Sequence, residues 1–278
     1  MNSGIRSRSP LRVWLVEIFA FGNLSFLAVD IYLAHRVNDF AHPAEWIPVY
    51  FSATVPLLLI PGIFKRQHND RLSRKAGLAV GISSILVGLA GFLLHLDGSF
   101  FHAQTLKTLV YTAPFAAPLS YTGVGLLLLL NRMEPDGSPA WGPWVTFLAM
   151  CGFVGNLALS LCDHAQNGFF EKTEWISVIA AAFAVSFLLV AIVRQLDRRL
   201  HCACVLVMGL QMLVGVLGFV LHATADIHGP ADSIRDNFIY GAPVFAPLLF
   251  ANLAILALLG LWEMLVVSAE SEFAAQKT

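Results

Sequence analysis

The sequence predicts an all-α integral membrane protein with eight transmembrane helices, built as two parallel four-helix repeats about a pseudo-two-fold axis along the membrane normal. Three observations predict this fold class. Hydrophobic residues make up 57% of the 278 residues and charged residues only 13%, a composition that a water-soluble protein of this size does not need. Long apolar segments recur along the whole chain, and several polar motifs occur twice in the same order.

Eight apolar segments are each long enough to cross a hydrocarbon core of about 30 Å. The first follows several arginines, but its length, the presence of Glu17 in its apolar stretch and the lack of a convincing small-residue cleavage site favour a retained span over a cleaved signal peptide. The connections are too short for a soluble domain, and the four cysteines are too scattered for a disulfide framework. The segments cover residues 13–35, 46–64, 77–97, 105–130, 144–163, 175–193, 202–223 and 237–267.

The distribution of basic residues predicts the orientation. Thirteen of the seventeen Lys and Arg residues fall in the N-terminal segment, the even-numbered connections and the C-terminal tail. Cytoplasmic connections are enriched in these residues, so both termini are predicted to lie in the cytoplasm and the protein in the cell (inner) membrane. The thirteen are Arg6, Arg8, Arg12, Lys65, Arg66, Arg71, Arg74, Lys75, Arg132, Arg194, Arg198, Arg199 and Lys277.

Four pairs of matching motifs define the repeats, at offsets of 133 and 129 residues. Each repeat contains four spans, an even number, so both enter the membrane from the same side. The predicted organisation is a cytoplasmic segment 1–12, a first repeat 13–131, a connection 132–143, a second repeat 144–267 and a cytoplasmic tail 268–278. The pairs are Gly22-Asn23-Leu24 with Asp30 and Gly155-Asn156-Leu157 with Asp163; His35-x-x-Asn38-x-Phe40 and His164-x-x-Asn167-x-Phe169; Glu45-Trp46-Ile47 and Glu174-Trp175-Ile176; and Tyr111-x-Ala-Pro114-x-x-Ala-Pro118 and Tyr240-x-Ala-Pro243-x-x-Ala-Pro247.

The paired prolines of the last motif lie inside the fourth and eighth segments. Pro114 and Pro118 are four residues apart, as are Pro243 and Pro247. Each proline removes a backbone donor, so the pairs are predicted to bend or locally unwind both segments. Simple kinking and a hinge or cavity-lining role are both open interpretations.

A further repeated stretch ends in a histidine. His95 and His222 are each preceded by glycines at positions i−4, Gly91 and Gly218, and at i−7. These positions share one helix face. Glycines at this spacing are typical of two membrane helices in close contact. They would also let a haem b lie against the backbone with His95 and His222 as axial ligands.

Three ionisable residues at or just after span ends occur in each half, and the six together form the predicted metal site. A carboxylate inside a span is costly unless it is paired or hydrated, which marks such residues as functional candidates. Imidazole and carboxylate together suit Zn, Fe, Mn or Cu, and ligands from both halves could meet on the pseudo-axis. A hydrogen-bonded structural or proton-handling cluster is the alternative. The six residues are Asp30, Asp163, His35, His164, His95 and His222.

Glu45 and Glu174 begin the second and sixth spans, each directly before a tryptophan. They are predicted catalytic residues that would move protons or orient ligands. The alternative is that the tryptophans anchor the helices at the membrane interface and the glutamates complement the helix dipoles.

The leading functional hypothesis is a metal-dependent membrane oxidoreductase that acts on a lipid-soluble or small extracytoplasmic substrate. A transporter with a polar or proton-coupled site at the repeat interface, a haem b electron-transfer protein and a non-catalytic membrane subunit are the alternatives. The net charge of −1 offers no argument for a nucleic-acid partner. No phosphate-binding or nucleotide-binding motif occurs in the sequence.

Overall fold

A computed structural model describes residues 10–65, 71–135, 138–194 and 196–275. The predicted cytoplasmic positions of Arg6, Arg8, Arg66 and Lys277 lie outside these ranges, as do most of the predicted segment 1–12 and the end of the tail. Every regular element within the ranges is helical, which confirms the all-α class.

Twelve α-helices and two short 3₁₀ helices, Pro43–Glu45 and Val55–Leu59, make up the described chain. The α-helices are α1 (Pro10–Arg36), α2 (Trp46–Thr54), α3 (Ile60–Lys65), α4 (Arg71–Asp97), α5 (Phe100–Ala103), α6 (Leu106–Val110), α7 (Leu119–Met133), α8 (Trp141–Gln166), α9 (Glu174–Val193), α10 (Arg198–Ile227), α11 (Ile234–Tyr240) and α12 (Leu248–Ala275).

Seven stretches of the described chain are long and apolar enough to cross a membrane. The second runs through α2, the 3₁₀ helix at Pro56 and α3. Their outward faces carry leucines such as Leu86 and Leu213, which are 63% and 66% exposed, as expected for side chains that face lipid. The stretches are Trp14–Arg36, Pro43–Phe64, Arg71–Asp97, Trp141–Gln166, Glu174–Val193, Arg198–Ile227 and Leu248–Ser268.

The fourth predicted segment, 105–130, is not one continuous helix. The short helix α6 ends at Val110, the chain forms turns through Pro114 and Pro118, and α7 then begins at Leu119. The fifteen residues of α7 span only about 22 Å at 1.5 Å per residue. The eighth segment is interrupted in the same way between α11 and α12. The prediction that the proline pairs unwind both segments is therefore confirmed.

Four helices, α1, α7, α8 and α12, form a central ring, which is closed between α1 and α12 by side-chain contacts, and the other long helices pack outside it. Helix α4 packs against α7, while α9 and α10 cover α8 and α12. Within the described chain, the buried apolar side chains form two clusters, one around α1, α4 and α7 and a larger one around α8, α9, α10 and α12. Val16 of α1 and Leu127 of α7 belong to the larger cluster and so join the two halves.

The bundle has two chemically different ends. We call the end where α1, α4, α8 and α10 finish the histidine end, because it contains His35, His95, His164 and His222. The opposite end, where α1 begins and α7 finishes, is called the arginine end.

Candidate functional site

Three predicted site residues of the first half come together at the histidine end. His35 lies in the last turn of α1 and His95 near the end of α4, and their ring centroids are 6.1 Å apart. Glu45 ends the 3₁₀ helix before α2, interacts electrostatically with His95 and accepts a hydrogen bond of 3.0 Å from the Asn38 side chain. His35, His95, Glu45 and Asn38 are called the first cluster below.

The matching residues of the second half form a second cluster, His164, His222, Glu174 and Asn167. His164 Nδ1 lies 3.6 Å from Glu174 Oε2, and the Asn167 amide donates to Glu174 Oε1 at 3.1 Å. His164 also interacts electrostatically with His222. Both clusters therefore offer two imidazoles and one carboxylate, with an asparagine that fixes the carboxylate.

A backbone carbonyl orients one histidine in each cluster. His95 Nδ1 lies 3.0 Å from the Pro114 carbonyl oxygen, and His222 Nδ1 lies 3.0 Å from the Pro243 carbonyl oxygen. In a continuous helix these carbonyls would accept from residues 118 and 247, but both are prolines without an N–H. Each carbonyl instead accepts from the N–H three residues on, that of Ala117 or Ala246, at 3.1 Å, and its second lone pair accepts from the histidine.

These bonds determine which ring nitrogen carries the lone pair. A carbonyl oxygen only accepts, so Nδ1 of His95 and of His222 must carry the hydrogen. In the neutral ring, Nε2 is then left with a free lone pair, which is the arrangement typical of a metal-ligating or proton-accepting histidine. His35 is oriented similarly, because its Nδ1 lies 3.2 Å from the Ile31 carbonyl of its own helix.

A stacked aromatic pair lies beside the histidines of each cluster. Phe40 and Trp46 stack at 3.9 Å, and Phe169 and Trp175 at 4.1 Å. Phe40 and Phe169 both adopt φ of 53°, a left-handed conformation that is uncommon for a bulky residue. Their N–H groups bond to the carbonyls of His35 and His164, as in a helix C-cap.

The structure does not bring all eight predicted site residues into one place. Each cluster lies within one half, so the predicted ligands do not meet at a shared site between the halves. Asp30 interacts electrostatically with Tyr121, and Asp163 with its neighbour Cys162. Across the described residues, no group of three or more His, Cys, Asp or Glu side chains converges closely enough to hold a metal ion as arranged here.

The glycines one helical turn before the histidines are contacted by the start of another helix. A Cβ atom added to Gly91 would lie 2.8 Å from Pro118 Cβ, and one added to Gly218 would lie 2.7 Å from Pro247 Cβ. The prolines that precede α7 and α12 thus fill the space that a porphyrin would need on this face. The residues do not fit the predicted haem b, and they do fit close helix contact.

Two buried ion pairs at the arginine end were not predicted from the sequence. Arg12 donates to Glu263 at 2.6 Å, with side-chain exposures of 2% and 7%. Arg132 lies 2.7 Å from Glu17, with exposures of 3% and 0%. Arg12 and Arg132 were counted only as cytoplasmic charges, although a glutamate within an apolar segment could have signalled a buried partner.

Comparison with models of known families, with characterised proteins and with solved structures found no match to this chain. The class of the protein therefore rests on its own structure. Its apolar helices, with leucines on their outer faces, define a multi-pass α-helical membrane protein.

Proposed function

We propose that the chain crosses the membrane eight times as two parallel repeats, 13–131 and 144–267, with α6 and α7 together forming the fourth crossing. The matching contacts of the two clusters support this proposal. So do the contacts between halves: α1 touches α11, and the corresponding helix α8 touches α6, where Gln166 donates to the Val110 carbonyl at 2.8 Å. A two-fold axis along the membrane normal relates such a pair of contacts.

The protein is proposed to lie in the cell (inner) membrane with both termini in the cytoplasm. The histidine end would then face away from the cytoplasm. The split of thirteen to four basic residues supports this orientation. In intact cells, an impermeant thiol reagent should label a cysteine at Asp39, whose side chain is 69% exposed, in an otherwise cysteine-free chain. A cysteine at Asn69 is the control and should react only after permeabilisation; the reverse pattern would invert the topology.

Each cluster is further proposed to bind one transition metal ion, and the protein to act as a metal-dependent membrane oxidoreductase. The Nδ1–carbonyl bonds of His95 and His222 carry this proposal, because they leave Nε2 available to a metal. The second carboxylate oxygen of Glu45 and of Glu174 is buried and accepts no hydrogen bond among the described residues. Two imidazoles and one carboxylate form a donor set used by Zn and by non-haem Fe.

The chain's own residues would perform distinct tasks at such a site. A bound ion would supply Lewis-acid or one-electron chemistry. Asn38 and Asn167 keep the glutamates in position, and each glutamate could hold a proton taken from a substrate. The stacked Phe40–Trp46 and Phe169–Trp175 pairs give each cluster an apolar wall, which suits a lipid-soluble substrate.

Metal content measured after purification without chelators tests the proposal. Elemental analysis is expected to find about two transition-metal ions per chain, and about one in His95→Ala or His222→Ala, since each change removes one imidazole from one cluster. His201→Ala, at the arginine end, should retain both ions. A wild-type protein that is folded yet metal-free, even after incubation with Zn²⁺, would refute the metal proposal.

A transporter is the second candidate, favoured by polar contacts that cross between the halves. The amides of Asn23 in α1 and Asn252 in α12 are hydrogen-bonded to each other, and Arg12 bonds to Glu263 across the same boundary. Polar side chains at the boundary of two repeats are typical of transport sites. Uptake of a metal ion or proton into vesicles that contain the purified protein would favour this candidate over the enzyme.

A further inference from the structure

The central ring is packed unequally on its four sides. Helices α1 and α7, α7 and α8, and α8 and α12 are in direct contact along their backbones. Helices α1 and α12 face each other across the fourth side mainly through side chains. This fourth side, bridged by the pairs Arg12–Glu263, Asn23–Asn252 and Phe26–Phe245, is called the α1–α12 seam.

At the histidine end the seam is closed by an aromatic contact and by a neighbouring helix. Phe26 and Phe245 meet edge to face with their ring centroids 5.0 Å apart, and α1 also contacts α11 there. In the middle of the seam the contact becomes polar, with Asn23 and Asn252 bonded through their amides. Such amide pairs hold membrane helices together only weakly, at about 0.6 kcal/mol on average.

At the arginine end the hydrogen bonds across the seam come from one charged residue. The Arg12 guanidinium bonds to Glu263 of α12 at 2.6 Å, lies 5.0 Å from the centre of the Trp141 ring of α8, and donates to the Pro135 carbonyl at 3.4 Å. Arg12 thus connects α1 to α12, to α8 and to the connection between the halves. A buried guanidinium is stable only while its counter-ion is in place.

We infer that the two halves separate along the α1–α12 seam at the arginine end, with the Arg12–Glu263 pair as the latch and the histidine end as the pivot. Helices packed along their backbones cannot part without exposing apolar surface. A side bridged by side chains can open by reorienting those side chains, as in hinge and shear motions. The inference concerns how the molecule moves and is independent of whether either cluster binds metal.

Spin-label distances test the inference on the full-length protein in detergent. One pair of labels, at Leu11 of α1 and Trp262 of α12, spans the seam; these side chains are 46% and 41% exposed. The matched control pair, at Met133 of α7 and Trp144 of α8, spans a directly packed side, and these side chains are 69% and 52% exposed.

Glu263→Gln is expected to lengthen the mean distance across the seam by about 2 Å or more, the scale of interface helix shifts, and to leave the control distance unchanged. Arg12→Lys keeps the charge and should keep the short distance. An unchanged seam distance in Glu263→Gln, or equal lengthening of both distances, would overturn the inference. If Glu263→Gln yields no folded protein, Glu263→Asp replaces it; a smaller lengthening is then expected, and no lengthening would overturn the inference.

Discussion

Glu17→Ala is expected to lower the free energy of unfolding by about 3–5 kcal/mol, because it leaves the Arg132 guanidinium buried without a counter-ion. Glu17 is fully buried, and the Arg132 side chain is only 3% exposed. The guanidinium cannot easily move away, since it lies against the backbone of α4 at Gly77, where a side chain would collide with it. Denaturation of the purified protein in mixed micelles measures the change.

The exposed pair Arg36–Asp39 is the control for this prediction. It has a similar distance of 3.0 Å, but its side chains are 35% and 69% exposed, so Arg36→Ala should cost about 1 kcal/mol or less. Replacing Glu17 and Arg132 together by leucine should cost far less than Glu17→Ala, because no charge is left buried. A loss below about 1 kcal/mol for Glu17→Ala would mean that water reaches the pair.

Gly88→Ala is expected to destabilise the protein by about 1–3 kcal/mol through overpacking between α4 and α7. A Cβ atom at this position would lie 2.7 Å from the Thr122 backbone nitrogen and 2.8 Å from the Pro118 carbonyl oxygen. Both neighbours are backbone atoms, so they can give way only if the start of α7 shifts. The same denaturation assay, with the distance between labels on α4 and α7, measures both consequences.

Two other glycines provide matched controls for Gly88→Ala. An added Cβ at Gly123 would meet no atom within 4 Å, so Gly123→Ala should be neutral or stabilising by about 0.5–1 kcal/mol. At Gly215, the matching position in the second half, the nearest backbone atoms are 3.0 Å away, so a smaller loss is expected. Equal effects at Gly88 and Gly123 would show that the close contact is unimportant.

Much of the fold could be predicted because a chain inside a lipid bilayer must satisfy its own backbone hydrogen bonds. An uninterrupted apolar run has few alternatives to a helix in a bilayer, and the proline pairs indicated where two of the runs break. The sequence could not indicate which helices adjoin. Hydropathy locates a helix along the membrane normal, whereas lateral order depends on contacts such as that of Gly91 with Pro118.

The candidate site was predicted residue by residue but not in its grouping. The duplication of His35, His95 and Glu45 in the second half identified the residues that come together, because matched motifs adopt matched local structure. It also suggested one shared site, whereas the histidines form one cluster in each half. The orienting role of Pro114 and Pro243 was missed, since their carbonyls are not visible in a search for reactive side chains.

The Nδ1–carbonyl bonds have a consequence for how the molecule tolerates mutation. The atom that orients His95 belongs to a peptide bond, so no substitution at Pro114 can delete it. That carbonyl already accepts from the Ala117 N–H at 3.1 Å, so His95 uses its second lone pair. A residue other than proline at position 118 would add an N–H donor that could compete for it. The tolerance of the site to substitution therefore depends on Pro118 and Pro247, four residues further along the chain, as well as on the residues that contact the imidazoles.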